Sequence, residues 1–143
     1  MKLIIAVLTL FALHTHANAE QLLQSQQSWD GGAFAYPQGT PEISSYKLKL
    51  ATGAATPEHC HPVPTMGYVL SGRLRVETAH NDKTHFKVGQ SVVEVMRTPH
   101  VGTAVEGPVE IVVFYAGDTN TPNTVLATDD SYARYCQSDG ATQ

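Results

Sequence analysis

The sequence predicts a single all-β domain, either a sandwich or a barrel. Six or more short segments, apolar throughout or alternating apolar with polar residues, follow one another at roughly ten-residue spacing. Glycine and proline residues lie between these segments, as is typical of β-sandwiches and barrels. A helical pattern is confined to one segment near the C-terminus, and 143 residues suffice for one ordinary core.

The clearest predicted strands are residues 46–50, 73–77, 84–88, 92–95 and 109–115. The first two alternate apolar and charged side chains, which indicates strands with one face in solvent. The last is almost entirely apolar, and we expect it to be covered on both faces. Residues 129–135 predict a short C-terminal helix, because two acidic residues open the segment and a basic residue lies near its end.

Composition narrows the classes of partner. Nine Lys and Arg residues against thirteen Asp and Glu residues give a formal charge of −4, so we expect no nucleic-acid partner. The hydrophobic fraction of 42% is sufficient for a packed core and argues against intrinsic disorder.

The first nineteen residues resemble an export signal. A basic Lys2 is followed by a largely apolar run over residues 3–13 and by small residues that end at Ala19. We expect cleavage between Ala19 and Glu20, and a secreted or periplasmic mature chain. Eleven residues of helix cover only about 16 Å, too little to span a bilayer, so we expect no membrane association of the mature form.

Two histidines separated by one residue are the first sign of a chemical site. In an extended segment, His59 and His61 would point to the same face, because side chains alternate. Two neighbouring imidazoles supply half of the ligands of a transition-metal site. The alternative is an exposed pair of histidines on a loop.

The spacing around this pair resembles the two motifs of the cupin superfamily, G-x5-H-x-H-x3,4-E-x6-G and G-x5-P-x-G-x2-H-x3-N. The matching positions of this chain are Gly53, His59, His61, Thr65 and Gly72 for the first motif, and Gly89, Val95, Arg97, His100 and Ala104 for the second. The resemblance implies a jelly-roll barrel, also called a double-stranded β-helix, over residues 44–117. An N-terminal arm (20–43) would precede it and a C-terminal extension (118–143) would follow.

The same resemblance implies a metal held by His59, His61 and His100. The family's glutamate ligand is replaced by Thr65, so the expected cofactor is one divalent transition metal ion (Fe, Mn, Zn or Ni) on three neutral imidazoles. Such a site leaves coordination positions open for a small molecule or for water.

Five further residues are candidates for the surroundings of the metal. Thr65 could hydrogen-bond metal-bound water. Glu94 lies among valines and is a candidate replacement for the missing carboxylate, because a carboxylate inside a barrel is costly unless it is paired or metal-bound. The alternative for Glu94 is a solvated edge. Tyr46, Tyr68 and Phe114 are candidates for a pocket lining, with an ordinary core role as the alternative.

The two cysteines are candidates for a disulfide. Cys60 lies between the two paired histidines, so its side chain would point away from the metal. In an oxidising compartment it can pair with Cys136, and we expect this bond rather than two unpaired cysteines.

The sequence therefore predicts an exported cupin with metal-dependent chemistry on a small oxygenated molecule. Resemblance to three-histidine cupins favours an oxygenase-type reaction, ahead of an isomerase or a hydrolase. The alternative is a non-catalytic periplasmic cupin that binds a small ligand or a metal. Resemblance to the family also implies a homodimer, in which the N-terminal arm reaches a partner.

Overall fold

Seven strands and one short helix follow one another along residues 18–136, the part of the chain that this computed structural model describes. The strands are β1 (Pro41–Leu50), β2 (His59–Cys60), β3 (Thr65–Thr78), β4 (Lys83–Lys87), β5 (Ser91–Val93), β6 (His100–Asp118) and β7 (Val125–Leu126), and the helix is α1 (Tyr132–Tyr135). The predicted signal segment lies outside the described residues except at its end. Ala19 and Glu20, which flank the expected cleavage site, are exposed and lie outside any strand or helix.

The two longest strands, β3 and β6, organise the sheet. The strand order is β4-β3-β6-β2-β7, β1 also pairs with β6, β5 also pairs with β3, and every pairing of strands is antiparallel. Register shifts between β3 and β6 fall between Val69 and Leu74, and such irregularities bend a strand pair. The all-β prediction is confirmed.

The apolar core lies inside the sheet at the middle of β3 and β6. Its buried members are Val69, Leu74, Val76, Phe86, Val92, Ala104, Val109 and Ile111. Trp29 from the N-terminal arm packs against this core, and its backbone N–H donates a hydrogen bond to the Val93 carbonyl at 3.0 Å. The arm therefore contacts the barrel of its own chain at this point.

Two details of the predicted elements are wrong. Residues 109–115 are not covered on both faces, because Phe114 on the outer face is 40% exposed while its neighbour Tyr115 is buried. The C-terminal helix is limited to Tyr132–Tyr135, because the Asp129 carboxylate accepts a hydrogen bond from the Leu126 N–H and belongs to the preceding turn. Within residues 18–136, no helix has the length and apolarity needed to cross a membrane.

The C-terminal extension folds back onto the barrel. Strand β7 pairs with β2, opposite His59 and Cys60. Cys60 and Cys136 form a disulfide, as predicted, across a sequence separation of 76 residues. The two half-cystines and Val125 make a second small buried cluster, against which Tyr132 and Tyr135 pack. The short β2 is thus held from both sides, by β6 and by β7.

Candidate metal centre

Three histidines from different parts of the chain meet at one point; we call His59, His61 and His100 the histidine centre. His59 on β2 lies directly opposite His100 at the start of β6. The three ring centroids are 4.4 to 5.0 Å apart, and one ligand nitrogen from each ring lies within 4.8 Å of the others. Three histidines so placed could hold one metal ion.

The curvature of β6 brings both of its ends to this centre. His100 and Tyr115 are fifteen positions apart on the same strand, yet their rings lie 5.0 and 5.5 Å from that of His61. His61 itself follows Cys60, whose side chain points the opposite way to Cys136. The alternation of side chains therefore separates the disulfide from the ligands.

Hydrogen bonds to the backbone fix the tautomer of all three rings. The Nδ1 atoms of His59, His61 and His100 lie 2.8, 3.1 and 2.9 Å from carbonyl oxygens. The carbonyls belong, in the same order, to Pro57, Asn123 and Thr98. A carbonyl oxygen only accepts, so each Nδ1 carries the proton and each Nε2 keeps a free lone pair. This is the arrangement that metal-binding histidines adopt, and the residues present fit a metal ion.

Burial keeps the three imidazoles neutral. It lowers the pKa of His59, lowers that of His100 to about 4, and holds that of His61 well below its usual value. For His61, the neighbouring charges of His100 and His59 add to the effect. Neutral imidazoles are the form that binds metal, so at neutral pH no proton has to leave these rings before a cation binds.

Comparison with known families agrees with this geometry. Residues 46–115 match the family model described as "Cupin domain". The chain belongs to the cupin superfamily. The matched region runs from the middle of β1 to Tyr115, near the end of β6, and it contains His59, His61 and His100. A search of curated proteins finds no match.

Solved structures share the cupin fold at low sequence identity. A DMSP lyase, DddQ from Ruegeria pomeroyi, aligns with a TM-score of 0.53 and 23% identity over 70% of this chain and 48% of that one. An oxalate oxidase aligns with a TM-score of 0.51 and 23% identity over 59% and 46%. A protein with a double-stranded β-helix domain from Klebsiella pneumoniae aligns with a TM-score of 0.52 and 19% identity over 67% and 91%. This cupin therefore spans about half the length of the two named enzymes.

Thr65 and Glu94 lie side by side in the interior of this cupin. Thr65 is 2% exposed, and its hydroxyl donates to the Val63 carbonyl at 3.0 Å, which leaves its oxygen free only to accept. Glu94 is 7% exposed, and burial raises its pKa to about 7. The Glu94 carboxylate is not part of the group of ligand atoms around the three histidines.

The three aromatic candidates are placed on two different faces. Tyr46 is 59% exposed but shares the inner face with Tyr115, whose ring it meets edge-on at 5.8 Å. Tyr68 and Phe114 share the parity of Met66, on the outer face of the sheet. Phe114 and Met66 line an external apolar cavity of about 370 Å³ together with side chains of the N-terminal arm. Tyr68 and Phe114 thus face away from the histidine centre.

Arg97 takes the place of a glycine in the second cupin motif and keeps a glycine-like backbone. Its φ angle is 64°, in the left-handed region that L residues rarely adopt. Its N–H donates to the His61 carbonyl, and its guanidinium donates to the carbonyls of Arg134 and Tyr135. Arg97 therefore links the backbone of His61 to the end of α1.

Sequence reasoning missed the residues that orient the rings. Pro57, Thr98 and Asn123 act through backbone carbonyls, which carry no signal in a sequence. Thr124 was also missed; its hydroxyl lies 3.3 Å from both His61 Nδ1 and the Tyr115 hydroxyl. A Thr in a turn-rich C-terminal segment gives no indication that it faces a site more than sixty residues earlier.

Proposed function

We propose that this cupin binds one divalent transition metal ion (Fe, Mn, Zn or Ni) through the Nε2 atoms of His59, His61 and His100. We propose further that it uses the ion for chemistry on a small oxygenated molecule, with an oxygenase-type reaction as the first candidate. The observation that carries the proposal is the shared tautomer: three backbone carbonyls accept the three Nδ1 protons, which leaves a free Nε2 lone pair on each of three rings whose ligand nitrogens lie within 4.8 Å of one another.

Each residue has a defined task in this proposal. The histidines hold the ion, and when bound it would act as a Lewis acid toward an oxygen of the small molecule. Three neutral ligands leave the charge of the cation uncompensated, which favours an anionic or chelating partner. His59 is the least buried of the three rings, so the small molecule would reach the centre from its side.

The names of the structural neighbours are consistent with a small polar substrate. One neighbour is a DMSP lyase and another is an oxalate oxidase, which has also been solved with the substrate analogue glycolate. At these identities the likeness supports the barrel and its use for small molecules, and leaves the choice of substrate to experiment.

Export and self-association complete the proposal. The signal-like segment and the buried disulfide both favour an oxidising location outside the cytoplasm. A homodimer would cover exposed apolar side chains on the outer face, among them Ile43, Met66 and Phe114.

Metal analysis tests the proposal directly. We expect the mature protein, purified without chelator, to contain close to one equivalent of a transition metal, and His59→Ala and His100→Ala to lose it. His85→Ala is the matched control, because His85 is exposed on β4. Failure of the wild type to bind any of the four metals after reconstitution would overturn the metal site. A stoichiometric metal without turnover of any small oxygenated acid would favour the non-catalytic binding cupin.

A further inference from the structure

Glu94 is a buried carboxyl that has no role in the proposed metal site so far. Among the described residues one other carboxyl, that of Asp118, is also buried, but it accepts hydrogen bonds from Asn120 and Thr121. The Oε2 atom of Glu94 is buried and has no hydrogen-bond partner. An unpaired buried acceptor costs stability, and in native proteins such an atom commonly marks a functional position.

The register of the sheet places Glu94 inside the barrel. Its N–H donates to the Thr65 carbonyl at 2.9 Å, which continues the β5–β3 pairing by one residue beyond Val93. Thr65 in turn lies opposite Tyr115 on β6. Directly opposed residues point to the same face with Cβ atoms about 4.5–5.5 Å apart. Glu94, Thr65 and Tyr115 therefore form one row of buried side chains across three strands.

This row ends at the histidine centre. The Tyr115 ring lies 5.5 Å from the His61 ring. The Thr124 hydroxyl donates to the Tyr115 hydroxyl and also lies 3.3 Å from His61 Nδ1. The Glu94 carboxyl thus stands on the inner face, two strands away from Tyr115, the residue whose ring lies next to His61, with Thr65 between them.

A second unpaired polar atom lies on the segment next to Glu94. The indole Nε1 of Trp29 is buried without a partner. The backbone of Trp29 is hydrogen-bonded to Val93, the residue before Glu94. An unpaired donor and an unpaired acceptor on adjacent segments are what a polar ligand in the interior would satisfy.

We infer that Glu94 is the acid–base residue of the histidine centre, whose carboxyl exchanges a proton with an oxygen of the water or small molecule held there. In this exchange, the O–H bond of the bound molecule breaks, its electron pair stays on that oxygen, and the proton adds to Glu94; the return step reverses it. No oxidant or reductant is needed. The inference rests on the proposed metal site.

The electrostatic surroundings agree with this role. Burial raises the pKa of Glu94 to about 7, and no neighbouring charge contributes to the shift. The titratable group that faces it from β6 is Tyr115, whose own pKa is raised by burial and by Glu94. Thr65 on β3 and Trp29 on the arm bring no charge. A carboxyl with this pKa is poised to gain or lose a proton near neutral pH.

Proton release on zinc binding tests the inference without a substrate. Isothermal titration calorimetry of the metal-free protein with Zn²⁺, in two buffers of different ionisation enthalpy, counts the protons released. A divalent charge at the histidine centre should expel the proton of a nearby carboxyl. We expect the wild type to release about half a proton more than Glu94→Gln at pH 7, about one more at pH 6, and no more at pH 8.5.

Glu58→Gln is the matched control, because Glu58 precedes a ligand histidine but is exposed and bonded to Tyr132. It should release as many protons as the wild type. Equal release by Glu94→Gln and wild type would overturn the inference and leave the metal site standing, whereas absence of zinc binding by the wild type would overturn both. If Glu94→Gln does not fold, infrared spectra of the wild type at pH 6 decide: the protonated carboxyl band should disappear on zinc addition, and its persistence would refute the assignment.

Discussion

The buried residues of the long strands β3 and β6 are of two kinds, apolar and polar. Between their ends, Leu74, Val76 and Ala104 are buried against other apolar side chains and need no hydrogen-bond partners. At their ends, buried polar side chains such as His100 and Thr65 depend on partners from loops and from the chain's own backbone. The middle contributes stability through apolar burial, while the ends lose stability through desolvated polar groups. Stability and chemistry are therefore separable by mutation along one strand pair.

The largest expected effect separates these two kinds of buried residue. Leu74→Ala should lower the free energy of unfolding by about 2–5 kcal/mol, because a buried side chain leaves a cavity. Zinc affinity of the folded variant should stay unchanged. His100→Ala should abolish zinc binding and lower metal-free stability less than Leu74→Ala does, because the cost of desolvating the imidazole disappears with the side chain and offsets part of the cavity cost. Urea unfolding and zinc titration of both variants check this. Equal loss of stability and of zinc affinity in both variants would contradict the separation.

A smaller effect is expected in the pH dependence of stability. In the metal-free protein, the unfolded state holds more histidine protons than the folded one between about pH 4 and 6.5, because burial lowers the pKa of His100 to about 4. Stability should therefore fall as pH decreases through this window. Glu94 has the opposite effect on stability, because burial raises the pKa of its carboxyl from 4.5 to about 7 on folding. The stabilisation that its protonated form retains at low pH is therefore lost as the pH increases from 4.5 to about 7.

Glu94→Gln removes only the second contribution. The free energy of unfolding of this variant should equal that of the wild type at pH 4. At pH 8 it should be higher by about 3 kcal/mol, since one pKa unit corresponds to about 1.4 kcal/mol. Urea unfolding of both metal-free proteins from pH 4 to 9 measures the difference. Parallel curves over the whole range would show that the Glu94 carboxyl is not desolvated.

The smallest effect concerns the strained residue beside the histidines. Arg97→Ala should lower stability by about 1–3 kcal/mol, because its guanidinium bonds to Arg134 and Tyr135 are lost while the positive φ remains. Arg97→Gly loses the same bonds but relieves about 1 kcal/mol of backbone strain. In thermal unfolding, the melting temperature should be highest for the wild type, lower for Arg97→Gly and lowest for Arg97→Ala. An alanine variant as stable as the glycine variant would argue against strain at this position.

Side-chain patterns predicted the strands and the His59–His61 pair because both depend on alternation along strands, whereas the jelly-roll barrel and His100 were predicted from the resemblance to the cupin motifs. The H-x-H pair and the opposite direction of Cys60 follow from that period, and the structure brings His100 to the same point. The parity of Glu94 with Val92 was visible as well, but a valine-rich segment does not reveal which face is inside. Only the pairing of β5 with β3 decides it.

Features that depend on tertiary pairing were beyond the sequence. Phe114 lies in an apolar run, yet within residues 18–136 its side chain on the outer face of β6 stays 40% exposed beside the N-terminal arm. The partner of His61 Nδ1 is the carbonyl of Asn123, which every residue type would supply equally well. Strand β7 has two residues and no pattern of its own; it forms because β2 offers a free edge.

The return of the C-terminal segment makes the histidine centre depend on residues far along the chain. The three histidines lie between residues 59 and 100, before the C-terminal residues that complete their surroundings. The carbonyl that orients His61 comes from Asn123, and the bond that fixes Cys60 beside it comes from Cys136. Thr124, which follows Asn123, also lies against His61, whereas Cys136 acts on the centre only through Cys60. The surroundings of the histidine centre are thus complete only in a chain whose C-terminal segment is packed against β2 and held there by the Cys60–Cys136 bond.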